Sequence, residues 1–277
     1  MPQCSNRASP TPLAGPDGCP EIRPSRPLPS RSLRAKSVAH ALRQLLPIAL
    51  ILLLGACRSS HVRTTPDFAQ NVALSGKTIV MAEPSIQLYE MQASGMLEPR
   101  ADWTRAARGH FMAAVEGFLQ RRNARLAPTF QPGADLPAEH RVRQLLALNW
   151  VVMGTIYTHS YLHVPLPTRG TARRKPLSWT LGPGVREIAS RTGADYMLTL
   201  QINDSYSSKG RVAMMLLGVA LQVALLQGGQ QGGIATLVDL KTGDVVWFNV
   251  MTDQMGDMRD AEGAAATAGR LLKGLPL

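Results

Sequence analysis

The pair best spaced for metal chemistry is His159 and His163, four residues apart, which on one helix would turn both imidazoles to the same side. No glutamate completes an HExxH pattern, and a third ligand would have to come from elsewhere, so both read as ordinary histidines. Asp204 with Ser205, Ser207 and Ser208 sets hydroxyls beside a carboxylate, but none of these serines sits in the G-x-S-x-G turn that exposes a nucleophile. A polar loop at a strand end, contacting a ligand at most, fits that pattern better than catalysis. Gly228–Gly233 (GGQQGG) lacks both the Lys-Ser/Thr of a phosphate loop and G-x-G-x-x-G spacing, and reads as a flexible link. No catalytic residue, no metal ligand and no cofactor is expected, and the chain is not read as an enzyme.

Cysteine chemistry narrows to a single residue. Leu45 to Leu54 is an apolar run preceded by Arg34, Lys36 and Arg43 and followed by the small pair Gly55 and Ala56, then Cys57. A run of this length suits the roughly 7 to 15 residue core of an export signal and falls short of the ~20 residues that span a bilayer. Leu54, Gly55, Ala56 and Cys57 resemble the lipobox of bacterial lipoproteins, with the first three as the signal-peptidase recognition residues. The resemblance implies that Cys57 takes a diacylglyceryl group on sulfur, becomes the first residue after cleavage, and carries palmitate-type acylation. Arg58 stands where an inner-membrane retention aspartate would lie, which by the same resemblance implies the outer membrane, with the domain in the periplasm. Cys4 and Cys19 fall in the removed part, leaving no disulfide to form.

The leader also distorts the charge. Seven of the 30 Lys+Arg and two of the 19 Asp+Glu precede Cys57, so the net charge falls from +11 for the whole chain to +6 for the remainder. A nucleic-acid partner is not implied. Residues 1–30 carry eight prolines and few apolar residues, a composition that cannot build a core and that suggests translation starting downstream of Met1, at Leu33 or Val38. The expected organisation is leader and signal peptide over 1–56, flexible tether over 57–76 and a single α/β domain over 77–275.

Periodicity supplies the elements of that domain. Lys77–Ala82 reads as a strand, and Glu83–Pro99, punctuated by Pro84, Gly95 and Pro99, as a surface loop. Asp102–Asn123 carries Trp103, Ala107, Phe111, Ala114, Val115 and Phe118 on one helical stripe, with Asp102 placed to cap it. Leu126–Phe130 reads as a second strand, and a helix opens near Asp135 and Pro137 and runs to about Tyr157; residues 155–164 fit helix and strand equally. Thr168–Lys175 is a basic loop. Pro183–Thr192 is a short helix closed by Gly193, and strands follow at Met197–Ile202, Ile234–Leu240 and Asp244–Met251, the last two joined through Gly243. Ala261–Leu272 closes the chain as a helix. The apolar character of both faces of these strands predicts a sheet covered on both sides, or strands at its centre.

The fold class expected is therefore α/β (α+β), a small mixed sheet of about five strands backed by helices. GADYMLTLQI (193–202) and LVDLKTGDVVWFN (237–249) resemble envelope lipoproteins that include the TolB amino-terminal domain, activators of penicillin-binding proteins and the curli-secretion lipoprotein. LEPRADWT (97–104) and DSYSS (204–208) resemble segments of proteobacterial lipoproteins. These resemblances imply a lipid-anchored, non-enzymatic interaction or assembly module of the cell envelope; the alternative they leave is an oligomeric pore or secretion-channel component. The departure from the pattern is Val212–Leu226, VAMMLLGVALQVALL, read as a helix buried against the sheet with part of its surface left for an envelope protein partner or self-association through Val212, Leu217, Leu221 and Leu225.

Overall fold

Mainly apolar runs such as Tyr196–Ile202 and Val245–Met251 belong to strands covered on both faces. In the computed structural model they lie at the centre of an eight-stranded mixed sheet. The residues described are 61–66, 68, 74–133, 139–167, 169, 177–222 and 226–275, all within the compact unit Cys57–Leu277. Residues 1–56 and the four lipobox positions Leu54, Gly55, Ala56 and Cys57 lie outside them, as do Asp135 and Pro137.

In chain order the elements are β1 (Arg63–Thr64), β2 (Thr78–Ala82), β3 (Ser85–Met91), β4 (Leu97–Pro99), α1 (Ala101–Gln120), β5 (Arg125–Phe130), α2 (His140–Ile156), α3 (Arg186–Thr192), β6 (Tyr196–Ser207), α4 (Lys209–Ala220), β7 (Gln231–Asp239), β8 (Val245–Met251) and α5 (Ala261–Leu271). The main path across the sheet is β1-β8-β7-β6-β2-β5, with β3 on β6 and β4 on β3. β2 and β3 both run parallel to β6, one beyond the other, with Ile79 opposite Tyr196 and Ser85 opposite Gln201. Glu83 and Pro84 form the joint between them, where the missing proline N–H breaks the ladder.

Helices cover both faces. Phe111, Val115, Leu119, Ala268 and Leu271 of α1 and α5 pack with Leu198, Leu200 and Trp247 on one side. Val142, Leu145, Met153 and Ile188 of α2 and α3 pack with Met197, Val238 and Phe248 on the other. Asn149 of α2 donates to the Thr199 hydroxyl at 2.8 Å inside that second core, which fixes the helix along β6.

The five expected strands are all present, and three more add to them. β3 and β4 occupy the expected surface loop: Ile86 and Leu88 alternate inward along SIQLYEM, and Pro84 and Pro99 mark strand ends. β1 falls inside the expected tether. There the His61 amide donates to the Val250 carbonyl at 3.2 Å and the Thr65 amide to Val246 at 3.0 Å, so 61–65 is paired to the edge of β8. Two helix details also differ. Arg100, not Asp102, is the N-cap of α1 and makes no side-chain cap; Asp102 sits in the first turn, ion-paired to Arg100 at 3.2 Å. Residues 155–164 end α2 in a π-helical turn, Tyr157–Tyr161, rather than in a strand.

Candidate contact surface

The histidine pair is separated by that π turn. His159 is buried, its Nδ1 at 2.9 Å from the Val164 carbonyl oxygen and its ring edge-on to Trp179, while His163 is exposed at φ 61° beyond the helix end. Among the described residues no three His, Cys, Asp or Glu side chains gather in a metal-binding group. Of the basic loop, Arg169 is described: its guanidinium donates to the Ser178 carbonyl at 2.8 Å and stacks over Trp179 at 4.3 Å. Thr168 and 170–175 lie outside the described residues.

Asp204, Ser205 and Ser207 belong to β6 itself, not to a loop past its end. Asp204 is buried, accepting from the Tyr206 hydroxyl and from Gln231 Nε2 at 2.8 Å. Burial pushes its carboxyl above the usual carboxylate range, against the pull of those two hydrogen bonds. The Ser205 hydroxyl donates to the Gln230 carbonyl at 3.1 Å and accepts from its amide at 2.9 Å; the residue also lines an open cleft of about 580 Å³ with Tyr89, Asn203 and Gln254. The glycine run beside it is no flexible link. Gln231, Gly232 and Gly233 are strand residues, and a Cβ on Gly229 would stand 1.9 Å from the Ser205 carbonyl oxygen, so only glycine lets the two backbones meet.

Ser208 starts α4. Its hydroxyl accepts from the Arg211 amide at 3.2 Å, a serine N-cap. The Arg211 guanidinium, itself buried, donates through Nε and Nη2 to the Gln227 carbonyl at 3.0 and 2.6 Å, tying the helix start to the segment leading into β7. Gly218 is buried and Met215 half-buried. Almost everything else on the helix is exposed: Val212, Met214, Leu216 (66%), Leu217 (58%), Val219 and Leu221 (62%). The expected burial against the sheet is therefore incorrect. The helix leaves the end of β6, and its inward stripe is supplied by Arg211, Met215 and Gly218. Leu225 lies outside the described residues. Gly95, in the β3–β4 turn, faces the Arg211 guanidinium, which puts the exposed Met96 and Leu97 next to the first turn of α4.

A stack of rings and guanidiniums at the same end of β6 escaped the sequence reading. Trp103, at the start of the apolar stripe of α1, is half-buried and flanked by Arg100 at 4.4 Å and Arg259 at 4.6 Å; Arg259 also covers Tyr206 at 4.1 Å. Arg259 is held there by Asp257, which keeps the guanidinium pKa raised. Only the aromatic at 103 gave any signal of it in the sequence.

No protein-family description matches the chain, and no curated protein matches it. Among solved structures it is similar to the PelC dodecamer from Paraburkholderia phytofirmans, at 15% identity over 79% of this chain and 96% of that one, with a TM-score of 0.33. It is also similar to lipoprotein GNA1162 from Neisseria meningitidis (11% identity, 64% and 79% covered, TM-score 0.26). The LpoB C-terminal domain from Salmonella enterica is similar at 11% identity, with 68% and 89% covered and a TM-score of 0.26. Likenesses this distant leave the function to the chain's own residues.

Proposed function

We propose that this chain is a lipid-anchored cell-envelope protein acting as a non-enzymatic interaction or assembly module, held in the outer membrane by acyl chains on Cys57 with its domain in the periplasm. The lipobox resemblance of Leu54, Gly55, Ala56 and Cys57 supports the anchor. The observation that carries the module reading is α4: a helix whose Val212, Leu217 and Leu221 are turned to solvent is a surface made to be covered. Asp204, Ser205 and Ser208, the residues nearest to a catalytic pattern, are each committed to holding β6, β7 and α4 in place. The segment that separates this reading from a pore component is helical, and its exposed residues do not alternate as barrel strands require.

The test compares wild type, Cys57→Ser and the double variant Leu217→Asp/Leu221→Asp in fractionated envelopes. Wild type is expected in the membrane fraction with an acylated Cys57 by peptide mass and with envelope proteins retained in detergent extracts, Cys57→Ser released or left unprocessed, and the double variant acylated but extracted from the membrane more easily than wild type. A free thiol at Cys57 ends the anchor, loss of every retained protein from wild type ends the module, and unchanged extraction of the double variant ends the role of α4.

A further inference from the structure

The direction in which the chain reaches the sheet says what covers α4. β7 is antiparallel to both β6 and β8, so β6 and β8 run the same way. β1 is antiparallel to β8, so upstream of Arg63 the chain heads toward the end of the sheet where β6 finishes and α4 begins. Cys57 stands four residues before His61, whose amide is fixed on Val250. At ~3.4 Å per residue the sulfur lies within about 14 Å of that point. Three strand spacings, ~14 Å in all, separate β1 from β6 across the sheet. Through Ile234, Val250 is level with Gln201, eight residues or about 27 Å short of Lys209 along β6, so the chain at His61 heads toward the end of the domain that α4 leaves, and four extended residues cover about half of that distance.

The form of the helix agrees with that placement. At 100° per residue, Val219, Val212, Leu216, Ala220, Ala213, Leu217, Leu221 and Met214 follow one another round an apolar arc of roughly 220°. A flat protein neighbour covers about half a helix; hydrocarbon covers all of it. Polar groups stand only at the two ends, Lys209 and Gln222, and the buried Arg211 charge is spent on the Gln227 carbonyl. Twelve residues reach about 18 Å, short of the ~30 Å hydrocarbon core, so the helix can enter one leaflet without crossing it.

We infer that α4, with Met96 and Leu97 at its side, inserts into the same lipid leaflet that holds the Cys57 acyl chains, giving the domain a second membrane contact. This rests on the anchoring proposed above. Two contacts fix the tilt of the domain, and with it the end presented away from the membrane: the β7–β8 turn around Thr242.

The experiment places a benzophenone amino acid at Leu217, Leu221 or Thr242 of the full chain, produced and processed in cells, and irradiates isolated envelopes. A phospholipid adduct by mass at 217 and 221, with none at 242, is the result expected. Cross-linking of 217 and 221 to a second copy or to another protein, or the absence of any adduct there, overturns the inference. The Cys57 peptide in the same digest reads the anchor separately. An acylated Cys57 without lipid adducts sinks the insertion of α4 alone. Lipid adducts with an unmodified Cys57 sink the anchor and leave α4 as the membrane contact.

Discussion

Tyr206 donates its hydroxyl to Asp204 Oδ2 and accepts, at 2.8 Å, the amide of Met258, so one ring joins β6 to the segment that leads into α5. The other carboxylate oxygen, Oδ1, is buried without a partner among the described residues. Burial, and to a smaller extent the charge of Asp257, hold the Asp204 pKa above the unfolded value of ~3.9. The folded state then keeps a proton that the unfolded state releases, so the stabilisation is complete at low pH and is lost as pH rises through the folded pKa. Asp204→Asn, which removes this titration, should gain stability relative to wild type between pH 4 and pH 7. Urea midpoints at both pH values check it; parallel changes in the two proteins would show that Asp204 does not titrate on folding.

Trp247, fully buried in β8 beneath α5, should be the costliest single truncation. Trp247→Ala removes most of a large core side chain and is expected to cost ~3 to 5 kcal/mol. Trp247→Phe deletes the indole N–H, which finds no acceptor among the described residues, and should cost distinctly less. Urea unfolding orders the two, and a loss below ~1 kcal/mol for the alanine would contradict the burial.

Leu217→Asp and Leu221→Asp tell a surface helix from a core one. With both residues exposed, each should move stability by no more than about 0.5 kcal/mol, whereas an aspartate in a core would cost several. Ser208→Ala, by contrast, removes the helix cap and should fray α4 at a cost of about 1 kcal/mol. Circular dichroism with urea titration measures both.

Gly229→Ala should disturb the junction of β6 and β7, since its methyl group would lie 1.9 Å from a backbone oxygen that cannot rotate away. A cost of ~1 to 3 kcal/mol is expected, as for other overpacked sites. Amide exchange at Ser205 and Gln230 should accelerate; unchanged protection there would mean the backbones are farther apart than described.

Elements with strong local patterning were readable from the chain. The apolar stripe Ala107, Phe111, Val115 and Phe118 gave α1, Gly193 at φ 65° gave the end of α3, and Gly243 at φ 88° gave the β7–β8 turn. β3 was hidden because Pro84 and Pro99 read as loop punctuation, although each stands where a strand stops and an N–H is not needed. β1 carries no pattern of its own, because two residues on the edge of β8 draw their order from a partner 183 or more positions away. The contact surface was half legible. Val212, Leu217 and Leu221 advertised themselves by composition, but their exposure depends on Arg211 and Gly218 taking the inward stripe, and that is decided by the Gln227 carbonyl and not by the helix.

The pairing of β1 with β8 gives the domain a mechanical axis. A pull on the chain upstream of His61 runs along the strand, so the bonds to Val250 and Val246 are loaded together in shear and do not open one at a time. The edge-on contact of His61 with Tyr161 and the packing of Val62 beside Gly274 add friction to the same short segment. Under the anchoring proposed above, tension on the domain is delivered to the edge strand β1 and through it to the sheet, and the polar network around Asp204, three strands away, does not bear it directly.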